Sequence, residues 1–182
     1  MKRLAVLLCL GVALASPLAA KQDDERLEPL FDRLIATRDP VEAKAVEQNI
    51  WRLWMEHESP TVKVLLTTAM QAMEGGEPDR SHEILTALVD VAPDFAEGWN
   101  KRATIRFMTG NYPGSVADIE RALALEPRHF GALAGLSMIM EQLNNMKEAA
   151  RAFERAMAVN PHLPGGRQRL DELKRRAQGS PI

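Results

Sequence analysis

Cysteine is almost absent: the 182-residue chain has one, Cys9. That excludes a disulfide framework, and no thiol nucleophile lies beyond the first twenty residues. Aromatic residues make up only 5%, with a single tyrosine, while Ala, Leu and Met are plentiful. This balance favours helices over a sandwich or barrel. No Asn-Gly turn separates alternating runs. Neither charge sign dominates, at 23 basic against 25 acidic residues, so nothing draws the chain to nucleic acid. A Gly-rich phosphate loop and a Gly-x-Ser-x-Gly elbow are both missing. What is present is 46% apolar and 26% charged, which gives a globular chain with room for one ordinary domain.

The one notable apolar run, Leu4 to Leu14, is too short to span a bilayer, which takes about 20 residues. Lys2 and Arg3 precede it, Pro17 breaks it, and Leu18-Ala19-Ala20 offers small residues for cleavage before Lys21. This is the layout of a secretory signal peptide over residues 1–20, with Ala13-Leu14-Ala15 as a second possible cleavage site. An uncleaved anchor is the rival reading. Cys9 follows Leu8, not a small residue, so it reads as apolar filler and not as a lipid-attachment site. Cleavage removes two basic groups and no acid, leaving 21 basic against 25 acidic and a net charge of −4. The expected location is the periplasm.

Self-similarity is the strongest signal. Pro93, Pro127 and Pro161 are spaced 34 residues apart. Aligning on them brings four further columns into register without gaps: Ala69, Ala103, Ser137; Ser81, Ser115, Ala149; Leu85, Ile119, Phe153; and Leu88, Ala122, Ala156. The first two columns hold small residues, which let two helices approach. The third fills a hairpin core. The fourth, mostly small, lets the next repeat pack on top, and the proline ends the second helix because it lacks an N–H. Gly75-Gly76, Gly110-Asn111 and Asn144-Asn145 supply the turns inside the hairpins. Asp94 is expected to cap a helix from Phe95, with Glu97 as its reciprocal partner.

The stretch Glu97-Gly98-Trp99-Asn100-Lys101-Arg102-Ala103, with Trp at the fourth and Ala at the eighth position of its repeat, resembles the tetratricopeptide repeat family. The resemblance covers residues 62–161, as repeats of about 62–95, 96–129 and 130–163. Three departures stand out: Leu88 occupies the usual Ala position, Leu65 replaces Trp, and the eleventh position, usually Tyr, is Ala72, Arg106 and Met140. The implied fold is all-α, a right-handed α-solenoid of about three helix hairpins.

A repeat array needs caps, since each unit buries its face only against neighbours. Leu163, Leu170, Leu173 and Ala177 place a closing helix over about Pro164 to Gln178. Its basic residues, Arg167, Arg169, Lys174, Arg175 and Arg176, suit its C-terminal end or an acidic partner. Before the repeats, a region of 21–60 holds two more helices. Leu27, Leu30, Phe31, Leu34 and Ile35 stripe the first, about Gln22 to Thr37. Asp39-Pro40-Val41-Glu42 starts the second, with Asp as cap and Glu returning the bond. Trp51 and Trp54 on it are expected to pack against the first repeat.

Catalytic and metal chemistry find no foothold. His82-Glu83 begins like a zinc helix, but Thr86 stands where the second His is needed; His57-Glu58 fails likewise at Thr61. His129 and His162 add no ligand spacing. Asp118 and Glu120 point to different faces, so a solvated surface is the expectation for both. The chain is therefore expected to be no enzyme and to use no cofactor, metal or small-molecule substrate.

By the resemblance, the second, fifth, ninth and twelfth positions of each repeat face a concave groove. They are Lys63, Leu66, Met70 and Met73; Glu97, Asn100, Thr104 and Phe107; and Gly131, Ala134, Met138 and Glu141. Family members that hold heat-shock-protein tails use a clamp of Lys, Asn and Arg. Here only Lys63, Asn100 and Lys101 echo it, and the third repeat has no groove cation. An apolar groove remains, centred on Met70, Met73, Phe107 and Met138, which suits an amphipathic helix or apolar peptide. The alternatives are that the chain's own N-terminal helix fills it, or that the chain self-associates through it as a structural homo-oligomer.

Overall fold

The computed structural model describes residues 24–179, and the expected leader over residues 1–20, with Cys9, lies outside them. Among the described residues nine helices follow one another: α1 Leu27–Ala36, α2 Pro40–Met55, α3 Pro60–Glu74, α4 Pro78–Val91, α5 Ala96–Met108, α6 Tyr112–Leu125, α7 Phe130–Gln142, α8 Met146–Val159 and α9 Gly166–Ala177. No strand occurs among the described residues. Helices α4, α6 and α8 are each 14 residues long and start 34 apart. Consecutive helices pack from α3 through to α9, and α5 also meets α7 and α2. The architecture is an all-α helical repeat.

Local signals set the boundaries. Pro stands at the first turn of α2, α3, α4 and α6, where its missing N–H costs nothing. Asn111 and Asn145 cap α6 and α8 by accepting the N–H of Gly114 and Glu148. The turn inside each hairpin holds a left-handed residue: Gly76, Gly110 and Asn144 have φ of 75°, 78° and 57°. Ala92, Glu126 and Asn160 leave the helical region ahead of their prolines.

The repeat columns meet inside the hairpins. Ser81 Oγ donates to the Ala69 carbonyl at 2.9 Å, and Ser115 Oγ to the Ala103 carbonyl at 2.7 Å. In the third hairpin the hydroxyl sits on the opposite helix, as Ser137 facing the Ala149 column, and Ser137 Oγ is buried with no partner. Leu85, Ile119 and Phe153 are buried between helices, and Leu88, Ala122 and Ala156 are fully buried where the next repeat lands.

Several expectations give way here. No side chain caps α5, which begins at Ala96 after Phe95; Glu97 turns inward instead of returning a bond to Asp94. Asp39 does cap α2, accepting the Val41 N–H at 2.9 Å. Glu42, however, binds Arg33 and Thr37 and not the cap backbone. Asp118 is buried, not solvated, and takes Arg102 at 2.8 Å and Arg106 at 2.9 Å. Arg106, at the usual Tyr position, thereby ties the two helices of the second hairpin. Ile35 and Ala177 lie exposed, off their helices' packed stripes.

The largest correction concerns the first two helices. Trp51 and Trp54 pack on His129 and Phe130, at the start of the third repeat, and not on the first. The α1–α2 hairpin lies along the loops that join the repeats. His57 meets Phe95 edge-on with ring centres 5.1 Å apart. The Arg128 guanidinium covers Phe31 at 4.2 Å and binds Glu28 at 2.5 Å. Asn160 donates to Glu47 at 3.0 Å, and the His162 Nε2–H donates to the Leu34 carbonyl at 3.0 Å. The α1–α2 hairpin and the loop after it therefore reach all three repeats at their connecting loops.

At the other end, α9 closes the array with Leu173 buried among Ala149, Ala150 and Phe153. Its basic residues are largely spent within the chain: Arg169 binds Glu141 at 2.9 Å, Arg176 binds Glu141 as well, and Lys174 binds Glu154 at 2.5 Å.

Candidate functional site

The first helices of the repeats, α3, α5 and α7, carry the candidate groove residues, and the structure divides them. Asn100, Thr104, Phe107 and Met138 come together around a cleft of about 110 Å³ between α5, α6 and α7. Its floor is Ala103, Ile119 and Ile139, and Gly131 and Gly135 complete the α7 wall. Met138 is 44% exposed, Thr104 is exposed and Phe107 is half-buried, with its ring 5.7 Å from that of Tyr112. Lys63 is exposed on α3 but lies apart from the cleft. Met70 and Met73 are half-buried against the core of the first hairpin. Leu66 belongs to that core outright, so it is not open groove surface. Ala134 packs toward the α8–α9 cluster, away from the cleft. Glu141 is held by its two arginines.

One end of this face is already occupied. A Cβ on Gly131 would stand 2.4 Å from Trp51 Cη2, so the indole fills the space that the glycine leaves. Beside it, the Trp54 ring stacks on His129 with centres 4.1 Å apart and planes 15° off parallel. His129 caps α7 by accepting the Ala132 N–H on Nδ1 at 3.2 Å. Nε2 is thereby the ring nitrogen that carries a proton, and it donates to Glu97 Oε2 at 2.8 Å. Lys101 Nζ lies 2.9 Å from Glu97 Oε1, close enough for charge attraction though not aligned as a hydrogen bond. Lys101 also sits over the Trp51 ring at 5.7 Å. Burial pushes the Glu97 carboxyl up, but the hydrogen bond from His129 and the charge of Lys101 outweigh it. The carboxyl ends below the usual range. Trp54 Nε1 is buried without a partner, so this junction carries an unmet donor.

Sequence reasoning missed Trp51 and His129 as parts of this face, met Lys101 only as an echo of the clamp, and did not single out Gly135. One signal existed for the glycine: in a helix interior it costs about 1 kcal/mol relative to Ala, so its presence asks for a reason. No local signal marked Trp51, because its partners are about 80 residues away in the chain. Among the described residues no group of three or more His, Cys, Asp or Glu side chains could hold a metal ion, and no helix is long and apolar enough to cross a membrane.

The repeat geometry has counterparts in known proteins. The tetratricopeptide repeat family model matches residues 66–118 and 109–161. A TPR repeat-containing protein of Rhizobium etli is 33% identical over 162 residues, covering 89% of this chain and 79% of the relative. Among solved structures, the first TPR of Spaghetti (RPAP3), bound to the HSP90 peptide SRMEEVD, superposes with a TM-score of 0.63 at 20% identity, over 68% of this chain and 97% of that one. The MamA protein superposes with a TM-score of 0.61 at 19% identity, over 85% and 84%. The TPR2B domain of yeast Sti1, in its Hsp70 complex, gives 0.59 at 16% identity, over 66% and 98%. Family model, relative and fold agree: the chain belongs to the tetratricopeptide repeat family.

Proposed function

We propose that the chain is a non-catalytic adaptor of the cell envelope that holds another protein in the groove formed by α3, α5 and α7. Two of the superposing structures carry a peptide or peptide complex on the same fold, which supports a polypeptide as the ligand class. The observation that carries the reading is the apolar cleft with Met138 and Phe107 at its rim. An apolar opening of this kind, with a polarizable methionine lip, suits an apolar segment better than a charged tail. The third repeat has no basic residue at its groove positions, and Arg169 and Arg176 of the neighbouring α9 are taken up by Glu141.

Changing Phe107 and Met138 together to Ser should abolish partner capture from envelope extract while helical content and melting stay near wild type. An unfolded double variant would make these side chains core, and unchanged capture by a folded one would move binding elsewhere. The envelope location rests on the leader-like residues 1–20. Intact-mass measurement of envelope material should show a chain beginning at or near Lys21; a full-length membrane-embedded product would overturn export.

A second reading draws on Trp51 in the Gly131 notch: the groove is partly self-occupied, and the chain is a self-associating component. Concentration-dependent sedimentation of the purified chain would favour it.

A further inference from the structure

We infer that the cleft between α5 and α7 is a pocket for one aliphatic side chain, of leucine, isoleucine or methionine, presented by a partner polypeptide. The inference deepens the groove reading above and rests on it for the source of the side chain.

Size selects the class. The cleft measures about 110 Å³. An apolar cavity of about 150 Å³ takes a benzene ring, so an aromatic side chain is too large here and a four-carbon aliphatic one fits. The floor is made by the buried Ala103, Ile119 and Ile139, with the Ser115 hydroxyl already spent on the Ala103 carbonyl.

Gly135 makes the space. It lies inside α7 with no positive φ, so the backbone does not require glycine. A Cβ there would stand 3.5 Å from Ile119 Cδ1, an ordinary contact, so packing does not require glycine either. A residue that weakens the helix without a steric reason has left an opening in the groove wall.

Two observations point to a polypeptide as the source. Asn100 is 8% exposed and lines the cleft, yet it spends one N–H on Glu97 Oε2 at 3.0 Å, and its side-chain carbonyl accepts nothing among the described residues. That oxygen suits the amide N–H that accompanies a peptide side chain. The pocket is also continuous with an interface the chain makes with itself, because Gly131 forms its end wall and takes the Trp51 indole from α2.

The test is methyl NMR of the full mature chain titrated with N-acetyl amino-acid N-methylamides. The leucine and methionine probes should shift the Ile119, Ile139 and Met138 methyls saturably. They should bind about tenfold or more tighter than the alanine probe, as the extra buried carbons require. Gly135→Val should remove that binding. Gly135→Ala, which shrinks the pocket by one methyl and favours the helix, should weaken it and serves if the valine variant does not fold. No saturable shift at these methyls, equal binding by the Gly135→Ala variant, or preference for a tryptophan probe would overturn the pocket. These probes involve no partner. Unchanged partner capture by the Phe107 and Met138 variant would therefore overturn the groove reading alone, and unchanged probe binding by the Gly135 variants the pocket alone.

Discussion

Leu88 Cδ2 lies 2.4 Å from where a Cβ on Gly98 would stand, so a large residue on α4 is matched by a missing side chain on α5. At the next junction both members are small: Ala122 on α6 and Ala132 on α7, each fully buried. The first repeat's departure from the usual alanine is thus answered ten residues later.

The pair should behave as a coupled unit. Gly98→Ala alone should overpack the junction by roughly 1–3 kcal/mol. Leu88→Ala alone should cost about 2–5 kcal/mol through the space it empties. The double variant should be more stable than the sum of the two by about 1 kcal/mol, since the new methyl enters the vacated volume. Chemical denaturation of the three variants measures this; strict additivity would show that the two positions do not share a contact.

The repeat register makes a second claim. Ala122 is fully buried where α7 packs, while Ala124 is exposed on the same helix. Ala122→Leu should lose about 1–3 kcal/mol to overpacking, and Ala124→Leu should stay within about 0.5 kcal/mol of wild type. Thermal melting compares them directly, and equal melting points would refute the register.

The Glu97–His129 pair adds a dependence on pH. The Glu97 carboxyl titrates below its usual range in the folded chain. A depressed folded value means the stabilisation is fully present above the unfolded value, about 4.3. It is lost as pH falls through the lower folded value. Glu97→Gln should therefore be less stable than wild type by about 1–3 kcal/mol at pH 7, with the gap closing below about pH 4. Denaturation midpoints of both proteins across pH 3 to 7 test it; a gap independent of pH would mean the charge on Glu97 contributes nothing.

The sequence by itself determined the repeat. Its columns recur every 34 residues because each hairpin solves the same packing problem against its neighbour, and the problem is local: Ser81 reaches Ala69, and Ser115 reaches Ala103, each only 12 residues away. The turn glycines and asparagines and the Asp39-Pro40 helix start were legible for the same reason, since their partners lie within one turn. The tertiary structure alone decided where the first two helices sit. Trp54 carries no mark in its own neighbourhood that it will stack on His129, 75 residues on, and an apolar stripe specifies burial without naming a partner. Position in the repeat likewise assigned Glu97 and Leu66 to the groove, but the first is buried against His129 of the next repeat junction and the hairpin core claims the second. Which groove residues remain open depends on what the rest of the chain covers, and that is a property of the assembled fold.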